Sequence, residues 1–230
     1  SGDFDEHLNH IEQVFERLRL AKLKLHPRKC SFAMRSLEYL GHNLSEQGLM
    51  KCSDKIKIVE TWPTPRTLKE LRSFTGFCNY YRRYVYNFSS YIAAFGNLLK
   101  KGSAFIWTNE HQVAFDELKR LMCEEVKLPF VDMSKECLIS TDACDKSISY
   151  ILSQKDDSGF HCPVIFSGRC LRKAELNYTV TERELLALIC ATCEFRPYIV
   201  GHHFNVETDH ISLKYLNSMK PQTGRLARWS

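Results

Sequence analysis

Three carboxylate side chains in the C-terminal half of the chain lie in or beside apolar segments. Asp142 lies in or at the end of CLISTDA, Glu184 lies in the first turns of VTERELLALICATCEF, and Asp209 ends FNVETD. A carboxylate inside an apolar element is costly to bury unless it is paired or bound to a metal. Asp and Glu also commonly cap strands and helices, so this placement leaves a metal site and an ordinary structural role both open.

The chemistry available to three such carboxylates is that of hard divalent cations. Mg²⁺ and Mn²⁺ prefer oxygen ligands and keep water and substrate phosphate in their coordination shell. Two such ions about 4 Å apart activate water and stabilise the leaving oxygen in phosphodiester hydrolysis. The candidate chemistry is therefore metal-dependent phosphodiester hydrolysis, provided that the fold brings the three residues together.

The elements that carry these residues read as a small α/β domain. The predicted order is three strands, a helix, a strand and a helix, because apolar or alternating runs are separated by turn residues such as those at 156–159. The boundary to the preceding region falls near 103–132. The predicted strands are 137–143, 147–154, 163–170 and 204–209, and the predicted helices are 180–195, stopped by Pro197, and 212–218.

The N-terminal half reads as mainly helical with one hairpin-like element. An amphipathic helix is predicted over 5–25 and is ended by His26-Pro27, and two short extended runs punctuated by Gly41 and Gly48 follow it. The further predicted helices are 53–61, capped by Ser53 or Asp54; 67–85, capped by Thr67 with Glu70 as its capping-box partner; 89–100; and 109–124.

Composition permits a nucleic-acid partner but does not establish one. The 230 residues suit two domains, and the net charge of +5 is only mildly basic. No run of roughly 18 apolar residues indicates a membrane span and no signal-like segment opens the chain. The ten cysteines are therefore expected to be free thiols in an intracellular compartment, and Cys190-Ala-Thr-Cys193 lacks a second pair at zinc-finger spacing.

Several stretches together carry a family resemblance. They are HPRKCSF, EYLGHNLSEQGL, WPTPRTLKELRSFTGFCNYYRRYV, LLKKGSAFIWTNEHQVAFDELK, TDACDKSISYILSQ, NYTVTERELLALI, FRPYIVG, FNVETDHISLKYL and GRLARW. In this order and spacing they resemble gypsy-type LTR-retrotransposon Pol polyproteins along the whole chain. The resemblance implies an α/β chain (α+β overall), in which a reverse transcriptase palm remnant and helical thumb precede a ribonuclease H-like mixed sheet with flanking helices.

The same resemblance implies a domain division. Residues 1–52 correspond to the end of the palm with a primer-grip-like hairpin, 53–103 to the thumb, 104–133 to a connecting helix and linker, and 134–230 to the ribonuclease H-like domain. Ser1-Gly2-Asp3 resembles the segment just after the catalytic YxDD box of the polymerase, which this sequence does not contain. The chain is accordingly expected to lack polymerase activity.

The resemblance also assigns candidate site residues. Asp142 matches the aspartate of the first strand and Asp209 the one closing the fourth. Of two candidate glutamates, Glu182 and Glu184, the one followed by Leu-Leu-Ala is Glu184. These three are the implied catalytic and metal-binding residues, with two Mg²⁺ (or Mn²⁺) ions in the intact domain. The implied nucleic-acid-binding residues are Tyr39, Leu40, Gly41, His42, Tyr80, Arg82, Arg83 and His210.

The nucleic-acid assignments have an ordinary alternative. Arginine side chains such as Arg82 and Arg83 supply phosphate contacts without sequence preference. The same residues, with the tyrosines beside them, also suit a solvated helix face over an aromatic core, and the sequence leaves this choice open.

The sequence departs from the family pattern at two places. The glycines of TDAxDxGxG are Ser147 and Ser149 here, and the usually small next residue is Tyr150, so an altered turn after the first catalytic strand is expected. The family's fourth metal-site aspartate would lie beyond Ser230, so the ribonuclease H-like domain is expected to be C-terminally truncated. Hydrolysis by this chain is therefore expected to be slower than by an extended one, with better rescue by Mn²⁺ than by Mg²⁺.

The implied parent activity is RNA-directed DNA synthesis together with endonucleolytic hydrolysis of RNA in RNA–DNA hybrids. The implied partners are RNA–DNA hybrid, duplex nucleic acid and the rest of the Pol polyprotein, namely the upstream palm and fingers and the downstream integrase, with no membrane. The expected location is cytoplasmic or nuclear, within a virus-like particle for the parent element. The alternative is a non-catalytic nucleic-acid-binding or protein-interaction scaffold from a degenerate or domesticated element.

Overall fold

The computed structural model describes residues 3–209, and the chain divides into two compact units, Ser1–Leu37 and Glu38–Ser230. His210 and the predicted helix 212–218 lie outside the described residues. The four-part domain division expected from the resemblance remains a prediction.

The first unit contains one long helix. Helix α1 spans Phe4–Leu20 and begins after Asp3, whose side chain accepts a hydrogen bond of 2.7 Å from the backbone N–H of Glu6. Acidic residues in its first turn and basic residues in its last suit the helix dipole. The helix ends before the predicted position, because the chain turns at Lys22, which has a left-handed φ of +56°.

A small sheet, whose first strand begins before Glu38, and five helices come next along the chain. Strands β1 (Ser36–Tyr39), β2 (His42–Ser45), β3 (Gly48–Lys51) and β4 (Lys127–Leu128) form a sheet in that order. The helices are α2 (Ser53–Glu60), α3 (Leu68–Tyr80), α4 (Phe88–Ala94), α5 (Gly96–Leu99) and α6 (Asn109–Cys123). A buried aromatic and aliphatic core joins them, with Phe74 of α3 against Phe115 of α6 at a ring-centroid distance of 4.6 Å.

Two predictions about these helices were wrong in detail. Helix α2 begins after Cys52, which makes no side-chain cap bond, so neither Ser53 nor Asp54 is the cap. The long helix predicted over 67–85 ends at Tyr80 and gives way to a 3-10 turn at Arg82–Tyr84. Its predicted start is right, because Thr67 accepts a hydrogen bond of 3.2 Å from the backbone N–H of Glu70.

A second sheet carries the three carboxylate positions. Strands β5 (Cys137–Ala143), β6 (Ser147–Lys155), β7 (His161–Cys170) and β8 (Phe204–Thr208) form a mixed sheet in the order β7-β6-β5-β8. Strands β5, β6 and β7 pair antiparallel, whereas β8 runs parallel to β5. Helix α7 (Val180–Glu194) makes the crossover that this parallel pair requires. The predicted fold class, α+β with a mixed sheet and flanking helices, is confirmed.

Helix α7 packs on the second sheet through small and apolar side chains. Ala187 and Ala191 of α7 lie in one buried cluster with Ile139, Ile148 and Leu152 of β5 and β6. Pro197 does not simply stop α7, since it lies in the first turn of a further short helix, α8 (Arg196–Ile199), where its missing N–H is harmless. Within residues 3–209, no helix is both long and apolar enough to cross a bilayer.

Candidate active site

Asp142 and Asp209 lie at the same end of two neighbouring strands. Parallel strands β5 and β8 pair Thr141 with Thr208, and each aspartate is the next residue along its chain. Residues in register on neighbouring strands lie about 5 Å apart. The crossover through α7 therefore brings two aspartates that are 67 positions apart in sequence to one edge of the sheet.

Glu184 faces the same edge from helix α7. Its side chain is buried, with an exposed fraction of 3%, and the backbone N–H of Ala143, next to Asp142, donates a hydrogen bond to its carboxylate. Burial and then the nearby Asp209 and Asp142 carboxylates, in that order of effect, raise the pKa of Glu184 to about 7. The structure thus places all three predicted carboxylates within electrostatic reach of one another.

The two candidate glutamates have different surroundings. Glu182 belongs to the capping box of α7, where its carboxylate accepts a hydrogen bond of 2.9 Å from the backbone N–H of Thr179. The Thr179 hydroxyl in turn accepts one of 3.3 Å from the backbone N–H of Glu182. Glu182 therefore holds the start of the helix, and Glu184, one half-turn further on, is the glutamate that meets the aspartates.

The donor set at this edge fits a hard divalent cation. One oxygen of the buried Glu184 carboxylate, Oε2, has no hydrogen-bond partner among the described residues. A buried carboxylate oxygen without a partner is costly, and a cation offsets that cost together with the repulsion among the three carboxylates. Within residues 3–209, no group of three His, Cys, Asp or Glu side chains is placed to hold a metal ion together, so the fit rests on the chemistry of the donors. Asp209 is the last residue described.

The departures from the family glycines do not disturb the strand pairing. Strands β5 and β6 remain in regular register from Cys137 opposite Gln154 to Ala143 opposite Ile148, with Asp142 opposite Ser149. Neither Ser147 nor Ser149 has a positive φ, so neither position requires glycine. Tyr150 is buried and donates a hydrogen bond of 2.6 Å to Glu194 of α7. The strand pairing beside the turn is therefore regular, and the altered turn expected from these substitutions stays a prediction.

A second cluster of predicted site residues lies at the turn between β1 and β2. Leu40 and Gly41 have φ values of +48° and +73°, a left-handed pair that is typical of a two-residue hairpin turn. The Tyr80 hydroxyl donates to the carbonyl of Leu40, and the Tyr81 hydroxyl donates to that of Gly41 at 2.9 Å. Consecutive tyrosines at the end of α3 thus hold consecutive carbonyls of a turn at which Leu40 is strained.

His42 completes this cluster on the strand side. Its ring stacks on Tyr80 with a centroid distance of 5.2 Å, and its Nδ1 shares a hydrogen bond of 2.9 Å with the Tyr84 hydroxyl. Burial lowers the pKa of His42, and the neighbouring Arg83 guanidinium lowers it further. The imidazole is therefore held neutral as a packing and hydrogen-bonding group, while Tyr39 and Leu40 beside it are exposed.

The two arginines after α3 differ in their surroundings. Arg82 is exposed, as a phosphate-binding residue must be. Arg83 is partly buried beside His42, and its Nε has no hydrogen-bond partner in the described part of the chain. Only Arg82 of this pair therefore presents its guanidinium freely to solvent. The remaining predicted residue, His210, lies outside the described residues.

One residue near the carboxylates was missed from the sequence. Tyr86 follows the 3-10 turn, and Asp142 and Asp209 lie close enough to raise the pKa of its hydroxyl, although burial is the larger cause. No periodicity marks it, because it lies between two helices and its neighbourhood depends on contacts with strands some 60 positions later. The sequence signal nearest to it is Asn87, a residue type that tolerates the left-handed φ of +52° found there.

Comparison with known protein families agrees with this architecture. Residues 132–230 match the family model described as the RNase H-like domain found in reverse transcriptase. Residues 132–230 carry an RNase H-like domain. The resemblance to retrotransposon Pol polyproteins is confirmed for nearly the whole chain by two relatives. The Pol polyprotein from transposon 412 of Drosophila melanogaster is 40% identical over 96% of this chain, and the Tf2-3 polyprotein of Schizosaccharomyces pombe is 34% identical over 97%.

Solved structures show the same fold. Foamy viral protease-reverse transcriptase in complex with RNA/DNA hybrid matches 100% of this chain and 31% of its own, with a TM-score of 0.78 at 24% identity. The foamy viral enzyme described as dRH, in complex with double-stranded DNA, matches with the same TM-score. The chain has the reverse transcriptase–RNase H fold and spans only 18% and 17% of the two polyproteins named above.

Proposed function

We propose that the RNase H-like domain of this chain hydrolyses the RNA strand of RNA–DNA hybrids, with divalent metal held by Asp142, Glu184 and Asp209. The observation that carries this proposal is the buried, unpartnered Oε2 of Glu184 beside two aspartates at one edge of the mixed sheet. Buried carboxylates that repel one another are retained where a cation is to be bound, since they otherwise only cost stability.

The roles of the three residues follow from where they are held. Asp142 and Asp209 are fixed by adjacent strands in register, and Glu184 is fixed by burial in α7 and by the N–H of Ala143. A rigid set of oxygen donors positions a phosphodiester without further reorganisation. When bound, Mg²⁺ or Mn²⁺ supplies charge neutralisation at the phosphate and lowers the pKa of water.

The hairpin turn is the proposed second contact with nucleic acid. Tyr39 and Leu40 are exposed at 58% and 70%, and the tyrosines behind them fix the backbone of the turn. An apolar side chain on a rigid turn suits contact with sugars or bases, whereas the exposed Arg82 suits a phosphate. RNA–DNA hybrid is thus the proposed partner of both regions, and the solved foamy viral complex with RNA/DNA hybrid supports that choice.

The test is cleavage of an end-labelled RNA–DNA hybrid by the whole chain in Mg²⁺ and in Mn²⁺. We expect internal cuts in the RNA strand that are lost in EDTA and reduced at least about a hundredfold in Asp142→Asn, Glu184→Gln and Asp209→Asn. The matched control is Glu182→Gln, which alters a glutamate in the same turn of α7 but away from the aspartates and should retain cleavage. Equal residual cleavage by the wild type and Asp142→Asn would show that the activity is a contaminant and would favour the non-catalytic scaffold.

A further inference from the structure

A short segment N-terminal to the RNase H-like region lies against the strands that bear the carboxylates. Asn87 accepts a hydrogen bond of 3.1 Å from the hydroxyl of Ser149, the residue directly opposite Asp142 in the β5–β6 pair. The ring of Tyr86, one residue earlier, packs on Phe166 of β7 with a centroid distance of 6.1 Å. Residues 86 and 87 are therefore fixed at the same end of the sheet as the carboxylate edge.

The segment that contains Tyr86 and Asn87 packs closely against the second sheet. Helix α4 follows at once, and its Ser89 is buried and accepts, at its carbonyl, a hydrogen bond of 3.4 Å from the thiol of Cys170. The β7 residue Gly168 makes the approach possible. A Cβ at Gly168 would lie 2.4 Å from the carbonyl oxygen of Ile148 and 3.2 Å from the hydroxyl of Ser89.

We propose that Tyr86 is a substrate-positioning residue of the carboxylate site, whose hydroxyl donates a hydrogen bond to a phosphate oxygen of the strand being cut. This inference rests on the proposed function. It adds a residue from outside residues 132–230, the region that the RNase H-like family model covers.

The chemistry of the site supports a neutral donor at this place. A phosphodiester approaching three carboxylates is repelled unless donors or cations face it, and a phenol supplies a donor without adding a charge. A tyrosine hydroxyl keeps its proton across the neutral range, so it remains a donor there. The residue is also 47% exposed, so a ligand can reach part of it.

The experiment compares Tyr86→Phe with wild type and with Tyr91→Phe, in the whole chain and in EDTA. Tyr91 is a matched control because it is a half-buried tyrosine on the adjoining helix whose pKa is raised by burial and by Glu117 rather than by the site aspartates. The readout is the Kd for RNA–DNA hybrid, which does not depend on metal-supported turnover. We expect Tyr86→Phe to raise Kd about threefold, the effect of one lost hydrogen bond, and Tyr91→Phe to leave it unchanged.

A set of hybrids carrying one neutral methylphosphonate at successive RNA-strand positions identifies the contact. At the position that Tyr86 touches, the substitution should weaken binding by wild type but not by Tyr86→Phe, since the hydrogen bond is already absent. Additive losses at every position, or an unchanged Kd for Tyr86→Phe, would overturn the assignment. Failure of the wild type to bind or cleave hybrid is a different result, because it removes the proposed function and this inference with it.

Discussion

Glu184 is a buried residue whose carboxylate lowers the stability of the fold at the proposed functional site. A well-packed α7 would bury an apolar side chain at this position, as it does at Leu185 and Leu186. Instead the helix buries a carboxylate with one unpartnered oxygen beside two further carboxylates. Local violations of packing rules of this kind concentrate at functional sites, where a ligand compensates for them.

The cost of the Glu184 carboxylate is measurable in the metal-free protein. Its pKa is about 7 in the folded chain against an ordinary glutamate pKa of 4.5, so at pH 8 the ionised form destabilises the fold, and below pH 4.5 the effect is absent. We expect Glu184→Gln in EDTA to raise the free energy of unfolding at pH 8 by on the order of 2 kcal/mol, with the gain shrinking as pH falls from 7 towards 5.

Glu182→Gln is again the matched control for this measurement. It alters the capping box that Glu182 forms with Thr179, so its free energy of unfolding should be unchanged or slightly lower than that of wild type. Urea denaturation of the three proteins at pH 5 and pH 8 makes the comparison. A Glu184→Gln protein no more stable than wild type at pH 8 would show that this carboxylate is not strained by its neighbours.

At the scale of elements, a buried lysine fastens β3 to the end of α6. Lys51 is 8% exposed, and its ammonium donates hydrogen bonds of 2.7 and 3.3 Å to the carbonyls of Met122 and Leu121. These carbonyls belong to the last turn of α6, where helical partners run out. Burial lowers the pKa of Lys51 to about 8, although the Cys123 and Glu124 side chains act in the opposite direction.

The lowered pKa of Lys51 predicts a pH-dependent contribution to stability. Between about pH 8 and 10.5 the folded chain binds fewer protons at Lys51 than the unfolded chain, so the contribution of Lys51 becomes more favourable as pH rises. The free energy of unfolding of wild type minus that of Lys51→Met should therefore increase by up to about 3 kcal/mol across this window. The control is the exposed Lys57. The free energy of unfolding of wild type minus that of Lys57→Met should not increase across this window.

Gly168 tests the close approach of β7 to β6 in the second sheet. Its φ is +153° and a Cβ would meet the backbone of Ile148 and Ser149 at 2.4 and 2.9 Å, where no side-chain rotation relieves the clash. We expect Gly168→Ala to lower the free energy of unfolding by about 2–4 kcal/mol. Gly159→Ala has a positive φ but open space around it, so it should cost only about 1 kcal/mol. Equal losses in urea denaturation would mean that the close approach of β7 to the β6 backbone at Gly168 is not a constraint on the fold.

The elements that the sequence predicts well are those set by local pattern. Strand β5 was predicted with its observed bounds because its apolar alternation reflects one buried face, and the Thr67 cap was predicted because the bond joins residues three positions apart. The end of α3 was missed because Tyr81 and Tyr84 bond to Gly41 and His42, some 40 positions away, and these tertiary bonds outweigh helical propensity.

The residues of the candidate site also differ in whether the sequence alone reveals them. The sequence supplied Asp142, Glu184 and Asp209 through residue type and family spacing, while their assignment as metal ligands stays a prediction. Tyr86 could not be found, since its position depends on the Ser149–Asn87 hydrogen bond and on the space left at Gly168. Likewise, the sequence does not reveal the bond of Tyr80 to Leu40, and the contact of Tyr80 with nucleic acid stays a prediction.

At the scale of the molecule, one segment links the two proposed nucleic-acid contacts. Residues 80–87 bond to the hairpin turn through Tyr80, Tyr81 and Tyr84, and to the carboxylate sheet through Asn87. Because this short segment is bonded at both ends, it holds the hairpin turn and the carboxylate sheet at a fixed separation. A duplex that contacts the hairpin turn is therefore held in register at the carboxylates. The exposed Arg82 lies within this segment, between Tyr81 and Tyr84.

This arrangement predicts how salt acts on binding. Each phosphate contact releases counterions, so the logarithm of the association constant should fall linearly with the logarithm of salt concentration, with a slope that counts the contacts. We expect Arg82→Ala to reduce the magnitude of that slope by about 1 on RNA–DNA hybrid and on duplex DNA alike. The control is Lys155→Ala, an exposed cation at the end of β6 eight positions along the strand from Ser147, which should leave the slope unchanged. The measurement is fluorescence anisotropy of labelled nucleic acid at salt concentrations of about 50–300 mM. Equal changes in slope for the two variants would indicate a diffuse effect of net charge, and Arg82 would then have no phosphate contact of its own.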